Sequence, residues 1–293
     1  MSDVYVVGIE GLNCSGKSTL LSRIRRYLAD NNLPQDVFID RFVASNIVYN
    51  IFWGLSFDVQ QYISIERSVS RGLYLFLDID IEMIMDRQKE KYDYFKHSRE
   101  ELTYIRNLFK WYFTNISSLP VVELSSEGQS YLSTADVVNL INSKKKLNIN
   151  RSWDWNKAIV ELSIVLSKNS KCLKRKVGGV FTRGKELLSY GYNRVPNGIN
   201  DCKDCIRIDM KDGYSLEACR GLHCEIIGGM NALNAGVNLK ESSYYGNLFP
   251  CVSCIKWLIE LGVQDIYYRE KIDDIELSTE LARESCVGVH YVP

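Results

Sequence analysis

Near the C-terminal end of this 293-residue chain, His223-Cys224-Glu225 is followed by Pro250-Cys251-Val252-Ser253-Cys254. One imidazole and two thiolates are three ligands of the kind zinc takes, and three protein ligands leave its fourth position open for water. A catalytic zinc site has that form, whereas a structural one closes with a fourth Cys or His. Cys224 is the residue that could close this one. Glu225 is not needed as a ligand and stands two residues from the His, where it can move protons. A water acidified by zinc with a carboxylate beside it is hydrolytic chemistry. His223 and Cys251 are each expected to open a helix, with Pro250 marking the second start. Helix N-termini favour thiolate and hydroxide.

A second constellation stands at the other end of the chain. Gly11-Leu12-Asn13-Cys14-Ser15-Gly16-Lys17-Ser18 is a complete G-x-x-x-x-G-K-S phosphate-binding loop, followed by Thr19. Its backbone N–H groups would cradle phosphates, Lys17 would reach the β and γ phosphates, and Ser18 would hold Mg²⁺. ATP and Mg²⁺ are therefore expected, bound through Gly11, Asn13, Cys14, Ser15, Gly16, Lys17, Ser18 and Thr19. Asp40 ends an apolar run, a suitable place for a carboxylate that organises the metal.

The elements that must position these residues follow from periodicity. Val4–Ile9 reads as a buried parallel strand ahead of the loop, and Lys17–Asp30 as a helix with Leu20, Leu21, Ile24 and Leu28 on one face. Further strands are expected at Val37–Ile39, Tyr74–Leu77 and Val121–Leu124, with helices at Ile81–Lys91 and Ala135–Ile141. Strands alternating with helices predict a doubly wound α/β domain with a parallel sheet. The polar stretch 144–150 reads as a linker, which divides the chain into domains 1–146 and 147–293. After it come a helix at 153–166 and strands at 177–181 and 187–192. A long irregular segment leads to helix 223–235, strand 244–248, helix 251–261 and strand 265–268.

Composition narrows the setting. Lys plus Arg and Asp plus Glu are 36 each, which offers no global attraction to nucleic acid. No apolar run is long enough to cross a membrane, and no leader pattern opens the chain, so a cytoplasmic protein is expected. Of nine cysteines, seven lie from Cys172 to Cys254, four of them in two C-x-x-C pairs, and such clustering favours metal.

The H-x-E and P-C-x-x-C pieces are those of the zinc-dependent cytosine and adenine deaminases. The surrounding sequence, from about Arg151 onward, resembles deoxycytidylate deaminases. Ser170-Lys171-Cys172-Leu173-Lys174-Arg175-Lys176-Val177-Gly178-Gly179 is similar to their opening strand region. Gly191-Tyr192-Asn193-Arg194-Val195-Pro196-Asn197-Gly198 is similar to a G-Y-N-G-x-P-x-G loop. Leu216–His223 resembles the approach to their zinc histidine.

The resemblance implies a cytidine deaminase fold, an α/β/α domain with a mixed sheet and zinc held between two helices. It implies dCMP as substrate, dUMP as product, dCTP and dTTP as effectors, and a homo-oligomer, a hexamer among the forms members adopt. Cys172, Cys202, Cys205 and Cys219 match positions where related deaminases bear cysteines or structural zinc ligands, implying a second, all-cysteine zinc. Asn193, Arg175 and Lys176 are the candidates for substrate contact. The chain departs from the family's H-A-E-x-N-A: Cys224 replaces Ala, and Ile227-Gly228 replaces Asn-Ala. Adjacent Gly228 and Gly229 weaken a helix but permit close approach to a neighbouring one. Arg194 replaces a loop Gly.

Phe38-Ile39-Asp40-Arg41-Phe42, continued by Ser45–Tyr49, resembles the D-R-Y/F segment of thymidylate kinases. The resemblance implies that Arg41 faces a substrate phosphate, and Arg87, Lys89 and Lys91 fall where such kinases place a basic lid. Ser18 and Asp40 are too close in sequence for the segment that such kinases insert between them. The first half therefore looks more like the shortened thymidylate kinase-like proteins of phages. Together the resemblances imply a bifunctional pyrimidine deoxynucleotide enzyme that deaminates dCMP and phosphorylates dTMP or a related monophosphate, a combination suited to a virus or phage. The alternatives are a P-loop half that senses nucleotide without catalysis, and a deaminase that edits RNA or single-stranded DNA. Balanced charge and the lack of a basic aromatic stripe argue against nucleic acid as a partner.

Overall fold

The computed structural model describes residues 5–13, 15–31, 37–69, 72–90, 96–125, 133–144, 154–210, 215–272 and 275–293. They fall into two compact units, Met1–Phe52 with Gln60–Trp153 and Trp53–Val59 with Asp154–Pro293. Cys14, Lys91 and the linker positions 145–150 lie outside the described residues.

In chain order the first stretch is β1 (Val6–Gly11), α1 (Lys17–Asp30), β2 (Val37–Asp40), α2 (Val43–Phe52), β3 (Phe57–Asp58), α3 (Val59–Ser68), β4 (Gly72–Asp78), α4 (Ile81–Glu90), α5 (Arg99–Asn115), β5 (Val121–Ser125) and α6 (Thr134–Lys144). Four strands form one parallel sheet in the order β2-β1-β4-β5. β4 is buried at all but its last residue, as expected of a strand covered on both faces. Leu21, Ile24 and Leu28 are the buried stripe of α1.

Helices α2, α3 and α5 were not legible from the apolar runs. In α5, Ser98 Oγ accepts from the Glu101 amide while the Glu101 side chain accepts from the Ser98 amide, a capping box that fixes where the helix begins. Its buried face carries Leu102, Ile105, Leu108, Phe109 and Tyr112, and α2 contributes Ile47, Val48 and Ile51 to the same unit's core.

The second unit continues with α7 (Trp155–Ser167), β6 (Gly178–Arg183), β7 (Glu186–Tyr192), a 3₁₀ turn at Leu216–Ala218, α8 (Cys224–Asn234), β8 (Ser243–Leu248), α9 (Val252–Glu260), β9 (Asp265–Glu270), α10 (Glu276–Glu284) and β10 (Gly288–Tyr291). Its sheet is mixed, in the order β10-β9-β8-β6-β7-β3. β8, β9 and β10 run parallel, and β6 is antiparallel to both β7 and β8. β3, counted with this unit, pairs antiparallel with β7. The core gathers Phe181, Tyr244, Phe249, Ile255, Leu258 and Ile266. Among the described residues no helix is long and apolar enough to cross a membrane.

Candidate functional site

His223 is the N-cap of α8, and Cys251 is the N-cap of α9, both with extended backbone. Cys254 sits in the first turn of α9. Pro250 stands one residue before the cap, so it sets the approach of the chain rather than the first helical position. Two helix starts therefore bring three donors to one point. His223 Nδ1 lies 3.3 Å from Cys254 Sγ and 3.5 Å from Cys251 Sγ, and all three ligand atoms lie within 4.8 Å of one another. A tetrahedral zinc with Zn–N of about 2.0 Å and Zn–S of about 2.3 Å needs N···S separations of about 3.5 Å. The donor set and its spacing fit zinc. Among the described residues, this is the one group of three or more such side chains whose ligand atoms converge. Cys224 does not join it. Its Sγ turns to Glu225 Oε2 and Tyr244 Oη, at 3.3 Å each.

The electrostatics are those of a thiolate–imidazolium cluster. Cys251 is pulled down to about 4, first by the hydrogen bond from Cys254 and then by the bond and charge of His223. His223 is pushed up to about 9, chiefly by its bond to Cys251, against the cost of its burial. Cys254 is raised by its hydrogen bond to Cys251 and by burial, so the two sulfurs share one proton. Glu225 is 3% exposed, and burial raises its carboxyl above the ordinary range, opposed by the charge on His223.

His223, Glu225 and Cys251 line a cavity of about 130 Å³. Arg175 and Asn193 are among its walls, and Lys176 is not. Asn193 braces the wall: its Oδ1 accepts from the Val177 amide and its Nδ2 donates to the Arg175 carbonyl. Sequence reasoning missed Arg207, which also lines the cavity and is only 7% exposed. It sits in the irregular segment, where no periodicity marks it. Lys174 and Arg194 add positive charge to the same wall. Cys172, Cys202, Cys205 and Cys219 all border this cavity, each half-buried and reduced, but no three of their sulfurs converge as the His223 group does.

In the first unit, Gly16 caps α1 in the left-handed region (φ 95°). Lys17 is buried, and its Nζ donates to the Gly11 and Leu12 carbonyls at 2.9 and 2.7 Å. Ser18 Oγ donates to Asp40 Oδ2 at 2.8 Å, while Asp40 Oδ1 is buried without a hydrogen-bond partner. Asp40 is level with Ile9 across the β1–β2 pair, which places it beside the loop. Arg41 takes a positive φ of 61°, donates to Asn13 Oδ1, and lies 5.3 Å over the Tyr49 ring. Arg87 reaches the loop: a Cβ on Gly16 would lie 3.8 Å from its guanidinium. Lys89 instead pairs with Asp86 on an exposed face. Ser15 is buried and Thr19 exposed. Sequence reasoning also missed Glu10, buried and bonded to Ser45 through both amide and hydroxyl.

Residues 153–270 match the family model described as the cytidine and deoxycytidylate deaminase zinc-binding region. The chain is similar to a deoxycytidylate deaminase of Schizosaccharomyces pombe, 31% identical over 155 residues, which are 50% of this chain and 47% of that protein. It is similar to ComE operon protein 2 of Bacillus subtilis, 28% identical over 140 residues, 47% of this chain and 71% of that protein. A crystal structure of the dCMP deaminase from cyanophage S-TIM5 in apo form aligns with 47% of this chain and 96% of its own, at 22% identity and a TM-score of 0.39. The chain spans about half the length of the first of these relatives. The family match and the converging His223, Cys251 and Cys254 together support zinc as the metal of the second unit, and the matched span holds Glu225 as well.

Proposed function

We propose that the C-terminal half deaminates dCMP to dUMP with zinc. The observation that carries this reading is the buried Glu225 beside a zinc-fitting His/Cys/Cys cluster, both on the wall of one cavity. When bound, zinc supplies a water acidified to near neutral pH. His223, Cys251 and Cys254 would hold it. Glu225 would take a proton from the attacking water and give it to the pyrimidine ring nitrogen, then take the second proton from the resulting C4 hydroxyl and pass it to the amine as ammonia leaves. The cavity's cationic wall, with Arg175, Lys174, Arg194 and the buried Arg207, suits a nucleoside monophosphate. The Schizosaccharomyces pombe relative named deoxycytidylate deaminase favours dCMP among such substrates.

The N-terminal half, in the same reading, is a P-loop kinase that uses ATP and Mg²⁺ to phosphorylate a deoxynucleoside monophosphate, dTMP favoured. Its support is the Lys17–Ser18–Asp40 arrangement and the guanidinium of Arg87 beside the loop. A serine hydroxyl and a carboxylate with one orphaned oxygen are hard oxygen donors that fit Mg²⁺. Arg41 would meet the acceptor phosphate. The proposed halves are 1–146 and 147–293, whereas the compact units part at Trp153/Asp154 and the second takes in Trp53–Val59. A second zinc on Cys172, Cys202, Cys205 and Cys219 would require their sulfurs to draw together from the separate positions they hold here, and dCTP and dTTP would act on a homo-oligomer. A viral or phage source fits this supply of dTTP precursors.

The test is a nucleotide scan against the full chain, following ammonia and ADP separately. Ammonia from dCMP supports the deaminase, and ADP formed with dTMP supports the kinase. Lys17→Ala should abolish ADP formation and leave ammonia release from dCMP unchanged. Loss of both would favour a P-loop half that senses nucleotide for its neighbour.

A further inference from the structure

Cys224 and Glu225 are neighbours at the start of α8, where adjacent side chains do not ordinarily face each other. Here they do. Cys224 Sγ donates to Glu225 Oε2 at 3.3 Å, and its other neighbour is Tyr244 Oη, also at 3.3 Å. Cys224 and Tyr244 have no exposed surface at all. The thiol hydrogen points to Glu225, so the sulfur is left to accept from the tyrosine hydroxyl.

The sheet is built to admit that tyrosine. Gly179 on β6 is in register with Gly246 on β8. A Cβ on Gly179 would lie 2.5 Å from Tyr244 Oη, and one on Gly246 would lie 3.0 Å from the same oxygen. Only a pair of glycines, one on each strand, lets the ring pass across to the start of α8. Phe181 closes the other side at 5.1 Å between ring centroids.

We propose that Tyr244 and Cys224 form a buried positioning chain that holds Glu225 Oε2, leaving Oε1 for the proton transfers of the reaction. The proposal rests on the deaminase reading of the site. Cys224 backs the cavity wall with no exposed surface of its own, and Tyr244 is likewise fully buried. They act by fixing one carboxylate rotamer through two side chains that have no exposed surface.

Two measurements on the full-length zinc-loaded protein test it. In the first, dCMP turnover is compared for wild type, Cys224→Ala, Cys224→Ser and Tyr244→Phe, with zinc content measured for each. Cys224→Ala should lower kcat about tenfold with KM within about twofold and zinc retained, the loss expected for one bond to a charged group. Cys224→Ser, which keeps a donor, should recover most of it, and Tyr244→Phe should fall between. Equal kcat for the Ser and Ala variants would overturn the proposal, because the site would then need only volume.

The second measurement does not depend on activity. A double-mutant cycle on the urea midpoint joins Cys224→Ala and Glu225→Ala. The double variant should lose clearly less than the sum of the singles, and strict additivity would overturn the proposal. A wild type without dCMP turnover would sink the deaminase reading, while the cycle would still decide the contact.

Discussion

Gly191 on β7 and Gly228 on α8 meet backbone to backbone. A Cβ on Gly191 would lie 2.5 Å from the Gly228 amide nitrogen and 2.5 Å from the Cys224 carbonyl oxygen. A Cβ on Gly228 would in turn lie 2.6 Å from the Phe181 ring. The helix that carries Glu225 is therefore seated on the sheet with no room for a side chain. Gly191→Ala should lower stability by ~2 kcal/mol or more, since backbone cannot step aside as a flexible side chain can. Urea unfolding checks this, and a midpoint equal to wild type would contradict it.

Glu10 gives a pH prediction for the first unit. Burial lifts its carboxyl from 4.5 to about 7, opposed by the hydrogen bonds of Ser45 and the charge of Lys17. The folded state thus keeps its proton longer than the unfolded state does. The stability this group contributes is whole below pH 4.5 and is lost as pH rises through 7. The gap corresponds to ~3 kcal/mol. Glu10→Gln cannot ionise, so it should gain on wild type as pH goes from 5 to 8. Urea titrations at both pH values test this; a difference that does not change with pH would refute it.

Zinc loading should release protons. At pH 7 the metal-free site has His223 protonated, Cys251 as thiolate and Cys254 as thiol. Zinc requires a neutral imidazole and two thiolates, so His223 and Cys254 each give up a proton. About two protons should leave per zinc, and apparent affinity should rise about a hundredfold per pH unit between pH 5 and 8. Calorimetry in buffers of different ionisation enthalpy counts the protons. A count near zero would mean that the cluster is already deprotonated.

What the sequence made legible was local. The three ligands and Glu225 are two short pieces whose spacing already implies their chemistry, and the two helix caps follow from it. The apolar runs of β1, β2, β4 and β5 announced a parallel sheet because strands covered on both faces need no alternation. α5 was missed although Ser98 and Glu101 mark its start, since its buried face mixes aromatic and polar-edged residues. α10 and β10 were missed for a different reason: they are short, and β10 is half exposed, so no strong period forms. Gly228-Gly229 was read as permitting close approach to a helix. Gly229 does meet Trp257 of α9, but Gly228 meets the sheet at Phe181 and Gly191. The link from Cys224 to Tyr244 depends on strand register between β6 and β8, which no local pattern reports.

The central claim is that Glu225 moves protons at a zinc site without holding the metal. Its most direct test is dUMP formation from dCMP by zinc-loaded wild type and Glu225→Gln, with zinc measured in both. The account predicts turnover by wild type and a loss of about 10²-fold or more in the variant, at unchanged zinc content. Undiminished turnover by the folded variant, or loss of its zinc, would contradict it.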